Sequence, residues 1–147
     1  LQGYKKAMQE SRLRIDPSLI VSGDFHYQSG EEAMRELLDN PQAPTAVFSF
    51  NDMMALGAIQ AVYNKGLKIP DDISLIGFDD IPLSCAIYPT LTTMAQPIHE
   101  IAALVIDLLI EKIHFREMRT RVPEEKPKYQ QIVLKAKLTE RDSCRAI

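Results

Sequence analysis

The sequence predicts an α/β domain built on a parallel sheet with helices on its faces. Three observations lead there. Short apolar runs rich in β-branched and aromatic residues end in Gly, Asn or Asp; capped amphipathic segments stand between them; and the two kinds alternate through the first eighty residues. Strands alternating with helices at this spacing imply βαβ units with right-handed crossovers.

Taken in order, Leu1-Gln2-Gly3-Tyr4-Lys5-Lys6-Ala7-Met8 places Tyr4, Ala7 and Met8 at helical spacing, with no initiator Met and no capping residue in front. A chain that starts inside a helix is expected, the C-terminal piece of something longer, with this helix fading near Arg14. Leu19-Ile20-Val21 reads as a buried strand closed by Ser22-Gly23-Asp24. Ser29-Gly30-Glu31-Glu32 matches a capping box, opening a helix to about Asp39 whose buried face is Ala33, Met34, Leu37 and Leu38; Asn40-Pro41 stops it. Thr45 to Phe50 is the second strand, and Asn51 or Asp52 caps a helix through Met54, Leu56, Ile59, Val62 and Tyr63. Gly66 supplies a left-handed stop. Ile69-Pro70-Asp71-Asp72 is a turn, and Ile73 to Phe78 is a third strand ending at Asp79-Asp80.

Beyond Asp80 the pattern changes. Pro89 to Thr93 is extended, and Pro97 opens a long helix to about Phe115 that carries Ile98, Ile101, Leu104, Val105, Leu108, Leu109 and Ile113. That helix is too apolar for one neighbour, yet its uncharged run Ile101 to Ile106 is far short of the ~20 residues a bilayer needs. A buried helix or an interface is the expectation. Arg116 to Lys128 carries charges and two prolines and reads as a loop, and Gln131 to Lys135 reads as the last strand.

Composition bounds the function. At 46% hydrophobic and 25% charged, the chain has the make-up of a water-soluble globular domain and not of a disordered or membrane-spanning one. A formal net charge of -3 leaves no large positive field to draw in a phosphate backbone, so this chain alone should not bind DNA strongly. Cys85 and Cys144 form no CxxC and suggest neither a disulfide framework nor a zinc site, which mildly favours a reducing compartment.

Ligands of open parallel sheets collect at the carboxyl ends of the strands. Those positions hold Gly23-Asp24-Phe25, Asn51-Asp52 and Asp79-Asp80: an aromatic ring, an amide and carboxylates on one rim. The set suits a polyhydroxylated ligand, because a carboxylate takes neighbouring hydroxyls, an amide both donates and accepts, and a ring covers the C–H face of a sugar. Plainer readings stand beside it. Asn51 or Asp52 caps a helix in any case, Phe25 fits a core or loop aromatic, and Asp79-Asp80 fits a turn with a cap. No catalytic residue and no metal site is expected. His26, His99 and His114 show no ligand spacing, Ser29, Ser49 and Ser84 belong to no nucleophile motif, and no Gly-rich phosphate loop accompanies Asp79-Asp80. Arg116, Arg119, Arg121, Lys126 and Lys128 are interrupted by Glu117, Glu124 and Glu125 and read as a solvated loop.

Thr45-Ala46-Val47-Phe48-Ser49-Phe50-Asn51-Asp52-Met53-Met54-Ala55-Leu56-Gly57, then Gly66 to Asp80, then Pro89-Thr90-Leu91-Thr92-Thr93 with Gln96-Pro97, resembles the lactose-repressor (LacI/GalR) family of bacterial transcription regulators. Gly3-Tyr4, Gly23-Asp24-Phe25 with Ser29-Gly30, and Leu138 to Ser143 extend the resemblance along nearly the whole chain, while Arg116 to Lys128 falls in that family's variable region. The resemblance implies a periplasmic-binding-protein-like type I fold, of which this chain supplies a fragment. Residues 1–95 would belong to the C-terminal subdomain of the effector-binding domain, 96–127 would cross to the N-terminal subdomain with the apolar helix, and 128–147 would return. It further implies that Phe25 stacks on an effector, that Asn51 and Asp79 hydrogen-bond it, that Ile98 borders the cleft, and that Leu56 and Ile87 lie at a homodimer interface. The effector would be a sugar or related small molecule, with no cofactor, and operator DNA would be read by a headpiece outside these residues in a cytoplasmic repressor. One departure is that the family's effector-binding Arg would fall just before Leu1. The alternatives are an extracytoplasmic sugar-binding protein of a transporter and a metal-dependent α/β enzyme using Asp79-Asp80.

Overall fold

β1 (Ala46–Phe48) and β2 (Ser74–Asp79) run parallel, with Ala46 opposite Ser74, Val47 opposite Leu75 and Phe48 opposite Ile76. The ladder continues at both ends, where Ser74 N–H donates to Thr45 C=O at 2.9 Å and Ser49 N–H donates to Ile76 C=O at 2.8 Å. Parallel neighbours need a crossover, and α3 (Asp52–Asn64) supplies it. This computed structural model describes residues 1–118 and 131–146, without the side chains of 115–118. Together with β3 (Thr92–Ala95) and β4 (Lys137–Thr139), the strands form a four-stranded sheet in the order β1-β2-β3-β4.

The chain divides into two units, Leu1–Met94 with Leu138–Ile147, and Ala95–Lys137. The first is built around α3, which is buried on nearly every side from Met54 to Ile59 and again at Ala61 and Val62. A helix apolar all round must be covered all round. Ile73, Leu75 and Leu91 come to it from the sheet side, and Met34 and Leu37 from α2 (Tyr27–Asp39). Burying side chains of this size stabilises the unit by about 1.5–3 kcal/mol each. Gly30 of α2 lies against the Met54 backbone and Gly57 of α3 against the Tyr27 backbone, so a Cβ at either position would overlap main-chain atoms. The two helices approach at their glycines.

Several boundaries differ from the sequence reading. α1 (Gln2–Glu10) stops short of Arg14 because Arg12 turns left-handed at φ 56° and Leu13 N–H donates back to Met8 C=O at 2.8 Å. Leu19-Ile20-Val21 is not a strand. Asp16 accepts from Ser18 N–H, Pro17 opens a 3-10 turn over Pro17–Leu19, and the extended backbone at Ile20 is assigned to no strand. α2 starts at Tyr27, so Ser29 lies inside the first turn and not at a cap. Ala33 is only half-buried. The last strand is Lys137–Thr139 and not Gln131 to Lys135; the pairing falls where Arg141 and Ser143 are anchored, with Thr92 N–H donating to Ser143 Oγ at 2.8 Å and Arg141 N–H donating to Thr92 Oγ1 at 2.9 Å. Gly66 takes the expected left-handed conformation at φ 74° and ends α3.

In the second unit α4 (Ile98–Met118) continues through Arg116, where a loop was expected. The rest of that expected loop, 119–128, lies outside the described residues. Ile98, Val105, Ile106, Leu109, Ile110 and Ile113 of α4 are exposed. Among the described residues, no helix is long and apolar enough to cross a membrane.

Candidate functional site

The rim begins with the turn after Val21. Phe25 sits at φ 69°, a left-handed backbone that bulky residues avoid, and its side chain is 63% exposed. Local bonds hold it there. His26 N–H donates to Asp24 Oδ1 at 3.0 Å, Asp24 N–H donates to Ser29 Oγ at 3.1 Å, and Ser29 Oγ donates to His26 C=O at 2.9 Å. The Ser29 hydroxyl, followed by the His26 N–H, keeps the Asp24 carboxyl below its ordinary range.

Asn51 joins this turn to the second strand end. Its Oδ1 caps α3 by accepting Met54 N–H at 2.8 Å, and its Nδ2 donates to Phe25 C=O at 2.8 Å. An amide has two donors and two lone pairs, so one N–H and one lone pair remain for a ligand. Capping and ligand contact are therefore compatible readings of one side chain. The sequence left the cap open between Asn51 and Asp52, and the structure assigns it to Asn51.

Asp52 turns inward. It is fully buried, and Thr93 Oγ1 donates to Oδ1 at 2.6 Å while Ile81 N–H donates to Oδ2 at 2.9 Å. Burial pushes its carboxyl above the ordinary value against those two bonds, and the neighbouring Asp79 charge adds to the rise.

Asp79, which ends β2, and Asp80 after it are both left-handed at φ 112° and 59°. Strain of about 1–3 kcal/mol at each such residue persists only where surroundings over-determine it. Asp80 shows how: Arg141 Nη2 donates to its Oδ1 at 2.7 Å in a largely shielded ion pair, Ser84 Oγ donates to Oδ1 at 3.1 Å, and Thr139 Oγ1 reaches Oδ2 at 3.4 Å. Arg141 Nη1 donates to Leu91 C=O at 2.7 Å as well. Asp80 is thus bound into the fold, and half-buried Asp79 lies at the strand end with an interaction of its own. Sequence reasoning missed Asp52, Thr93 and Arg141 as supports of this turn; their partners lie 29 to 61 positions away, and no local pattern marks them.

Ile98 opens α4 in the second unit and is 57% exposed. Leu56 is only 8% exposed and lies in the core of its own unit, with Ile87 half-buried against that core, so little of Leu56 is left to meet another subunit. The outward face of α3 carries Met53 and Tyr63 instead, and Tyr63 Oη donates to the C=O of the highly exposed Tyr88 at 3.3 Å. Among the described residues, no group of three His, Cys, Asp or Glu side chains is placed to hold a metal ion.

Residues 1–144 match the family described as periplasmic binding protein-like domain. The chain belongs to that family. This periplasmic binding protein-like domain is 47% identical over 113 residues to the HTH-type transcriptional repressor CytR of Escherichia coli K12, a match covering 77% of the chain and 33% of the relative. The ribose operon repressor of the same organism is also 47% identical over 113 residues, covering 77% of the chain and 34% of the relative. Among solved structures, a LacI family transcriptional regulator from Enterococcus faecium with bound ribose superimposes with a TM-score of 0.81 at 32% identity, covering 97% of the chain and 49% of that protein. The resemblance of the sequence motifs to the lactose-repressor family therefore agrees with the domain's relatives, and the α/β, periplasmic-binding-protein-like fold class is borne out. The matched relatives are transcriptional repressors and not enzymes, and the chain spans about a third of the length of the curated relatives it matches.

Proposed function

We propose that this domain is the effector-binding part of a LacI-type transcriptional regulator, and that its effector is a sugar or another small polyhydroxylated molecule. One observation carries the reading: an exposed ring at Phe25, a half-used amide at Asn51 and a carboxylate at Asp79 stand at successive rim positions, two of them tied directly by the Asn51–Phe25 bond. Phe25 would cover the C–H face of the ligand, Asn51 would give its remaining donor and lone pair, and Asp79 would take a pair of hydroxyls. Ile98 would border the cleft from the segment that crosses to the N-terminal subdomain, with residues 1–95 and 128–147 in the C-terminal subdomain. Sugars named with solved relatives support the ligand class, and the repressors among the curated relatives support the regulatory role.

In the whole regulator, effector binding would change the balance between two arrangements of the subdomains, and so how two headpieces of a cytoplasmic homodimer meet operator half-sites. Leu56 and Ile87 would underlie the dimer surface formed by the outward residues beside them. The enzyme alternative is weakened by Asp80, whose carboxylate is taken by Arg141 and so is not open to a cation shared with Asp79.

The test is a thermal-shift screen of pentoses, hexoses and disaccharides against the full-length protein. A sugar that raises the melting temperature of the wild type should do so by less in Phe25→Ala and in Asp79→Asn, while both variants stay folded. Equal shifts in wild type and both variants would remove the pocket assignment.

A further inference from the structure

We infer that Asp52 is a positioning residue for the effector: its buried carboxylate ties the Asp79–Asp80 turn to Thr93 on β3 and so fixes how Asp79 is presented at the rim. The inference rests on the reading of Asp79 as an effector contact.

Asp52 is 0% exposed, so it acts on a ligand only through what it holds. Its two oxygens face different elements. Oδ1 accepts the Thr93 hydroxyl at 2.6 Å and Oδ2 accepts the Ile81 N–H at 2.9 Å, immediately after two residues in a backbone region that side chains disfavour. Left to itself, such a pair would relax to extended or helical backbone and turn the Asp79 carboxylate away. Asp80 is gripped from the other side by Arg141, with Thr139 of β4 at the edge of reach.

The placement of these partners adds a consequence. Thr93 lies just before Met94, the last residue of the first unit on its outward path, and Thr139 and Arg141 follow Leu138, the first residue on the return. The turn that presents Asp79 is therefore fastened to both strands by which the chain leaves and re-enters that unit. Any displacement of β3 at Thr93 is felt at Ile81 through one carboxylate, and by reciprocity a ligand that fixes Asp79 restrains β3.

The experiment uses the full-length protein with the nearly isosteric Thr93→Val, the shape-retaining Asp52→Asn, Asp52→Ala and Asp79→Asn. Amide hydrogen exchange reads the turn and calorimetric titration with D-ribose, D-glucose and sucrose reads binding. The Asp80 and Ile81 amides should exchange at least about tenfold faster in Thr93→Val and Asp52→Ala, with Leu75 and Ile76 protected as in wild type. Asp52→Asn should recover part of that protection, because its amide oxygen still accepts from Ile81 N–H. For a sugar that binds wild type, affinity should fall about tenfold in Thr93→Val and further in Asp79→Asn. Unchanged exchange at Asp80 and Ile81 in both Thr93→Val and Asp52→Ala would overturn the inference. So would a loosened turn with wild-type sugar affinity while Asp79→Asn binds weakly. If instead Asp79→Asn binds as wild type does, or no sugar binds at all, the effector reading falls, and with it the purpose assigned to Asp52; the exchange rates then still report whether Asp52 holds the turn.

Discussion

The turns that carry Phe25 and Asp79 are held by opposite means. Around Phe25 every fixing bond but one comes from within five positions of chain, between solvent-exposed groups: Asp24, His26 and Ser29 serve one another, and Asn51 adds a single tether. Around Asp79 and Asp80 one bond, from Ser84, is local, while the others come from 29, 59 and 61 positions away, two of them running through a fully buried carboxylate and a shielded ion pair. Exposed local bonds cost little to make and are worth little, whereas buried polar networks hold firmly and leave costly unsatisfied groups when broken. One turn is held loosely by its own neighbours; the other is held firmly by distant parts of the chain.

This contrast can be broken by substitution. Asp52→Ala leaves the Thr93 hydroxyl and the Ile81 N–H without their acceptor and should cost about 2–4 kcal/mol in denaturant unfolding, the largest effect of the set. Arg141→Ala should cost about 1–3 kcal/mol, since it strands the Asp80 carboxylate in a partly shielded site. Asn51→Ala, which loses a helix cap and the Phe25 tether, should cost about 1 kcal/mol. Ser29→Ala should cost no more than about 0.5 kcal/mol, because the bonds it removes are exposed ones. If Ser29→Ala proved as damaging as Asp52→Ala, the distinction between the two turns would be lost.

Acid titration should separate the turns in sign. Asp52 has a raised folded-state pKa, so the native chain holds its proton more tightly than the unfolded one. Its contribution to stability is present below the ordinary value of 3.8 and is lost as pH rises through the raised value. Asp24 is lowered, so its contribution is present above 3.8 and is lost as pH falls through the depressed value. Unfolding measured across a pH series should lose the first slope in Asp52→Asn and the second in Asp24→Asn. Identical profiles in the two variants would contradict the assignment.

Legibility in the sequence followed the same division. The alternation of strands and helices, the Gly66 stop, and Asn51 or Asp52 as a cap were all readable because each is decided within one or two turns of chain. Asn51 and Asp79 follow from neighbouring parallel strands, which put their carboxyl ends together, whereas Phe25 follows no strand and is tied to them through Asn51. The strand at Leu19-Ile20-Val21 was misread, since apolar β-branched composition asks for extended backbone but cannot provide a pairing partner. Gln131 to Lys135 failed for a related reason: strand β4 is set three-dimensionally by the anchoring of Arg141 and Ser143 to Thr92.

By itself, then, the sequence determined the fold class, through short-range spacing and hydrophobic period, and its motifs carried the family resemblance. Only the tertiary structure decided which member of each adjacent polar pair is bound into the fold by distant groups. Asp52 rather than Asn51 is swallowed by the core, and Asp80 rather than Asp79 is claimed by Arg141. Neighbouring polar residues carry no local mark of which will be enclosed; a buried hydroxyl on β3 and a guanidinium sixty-one positions away decide it.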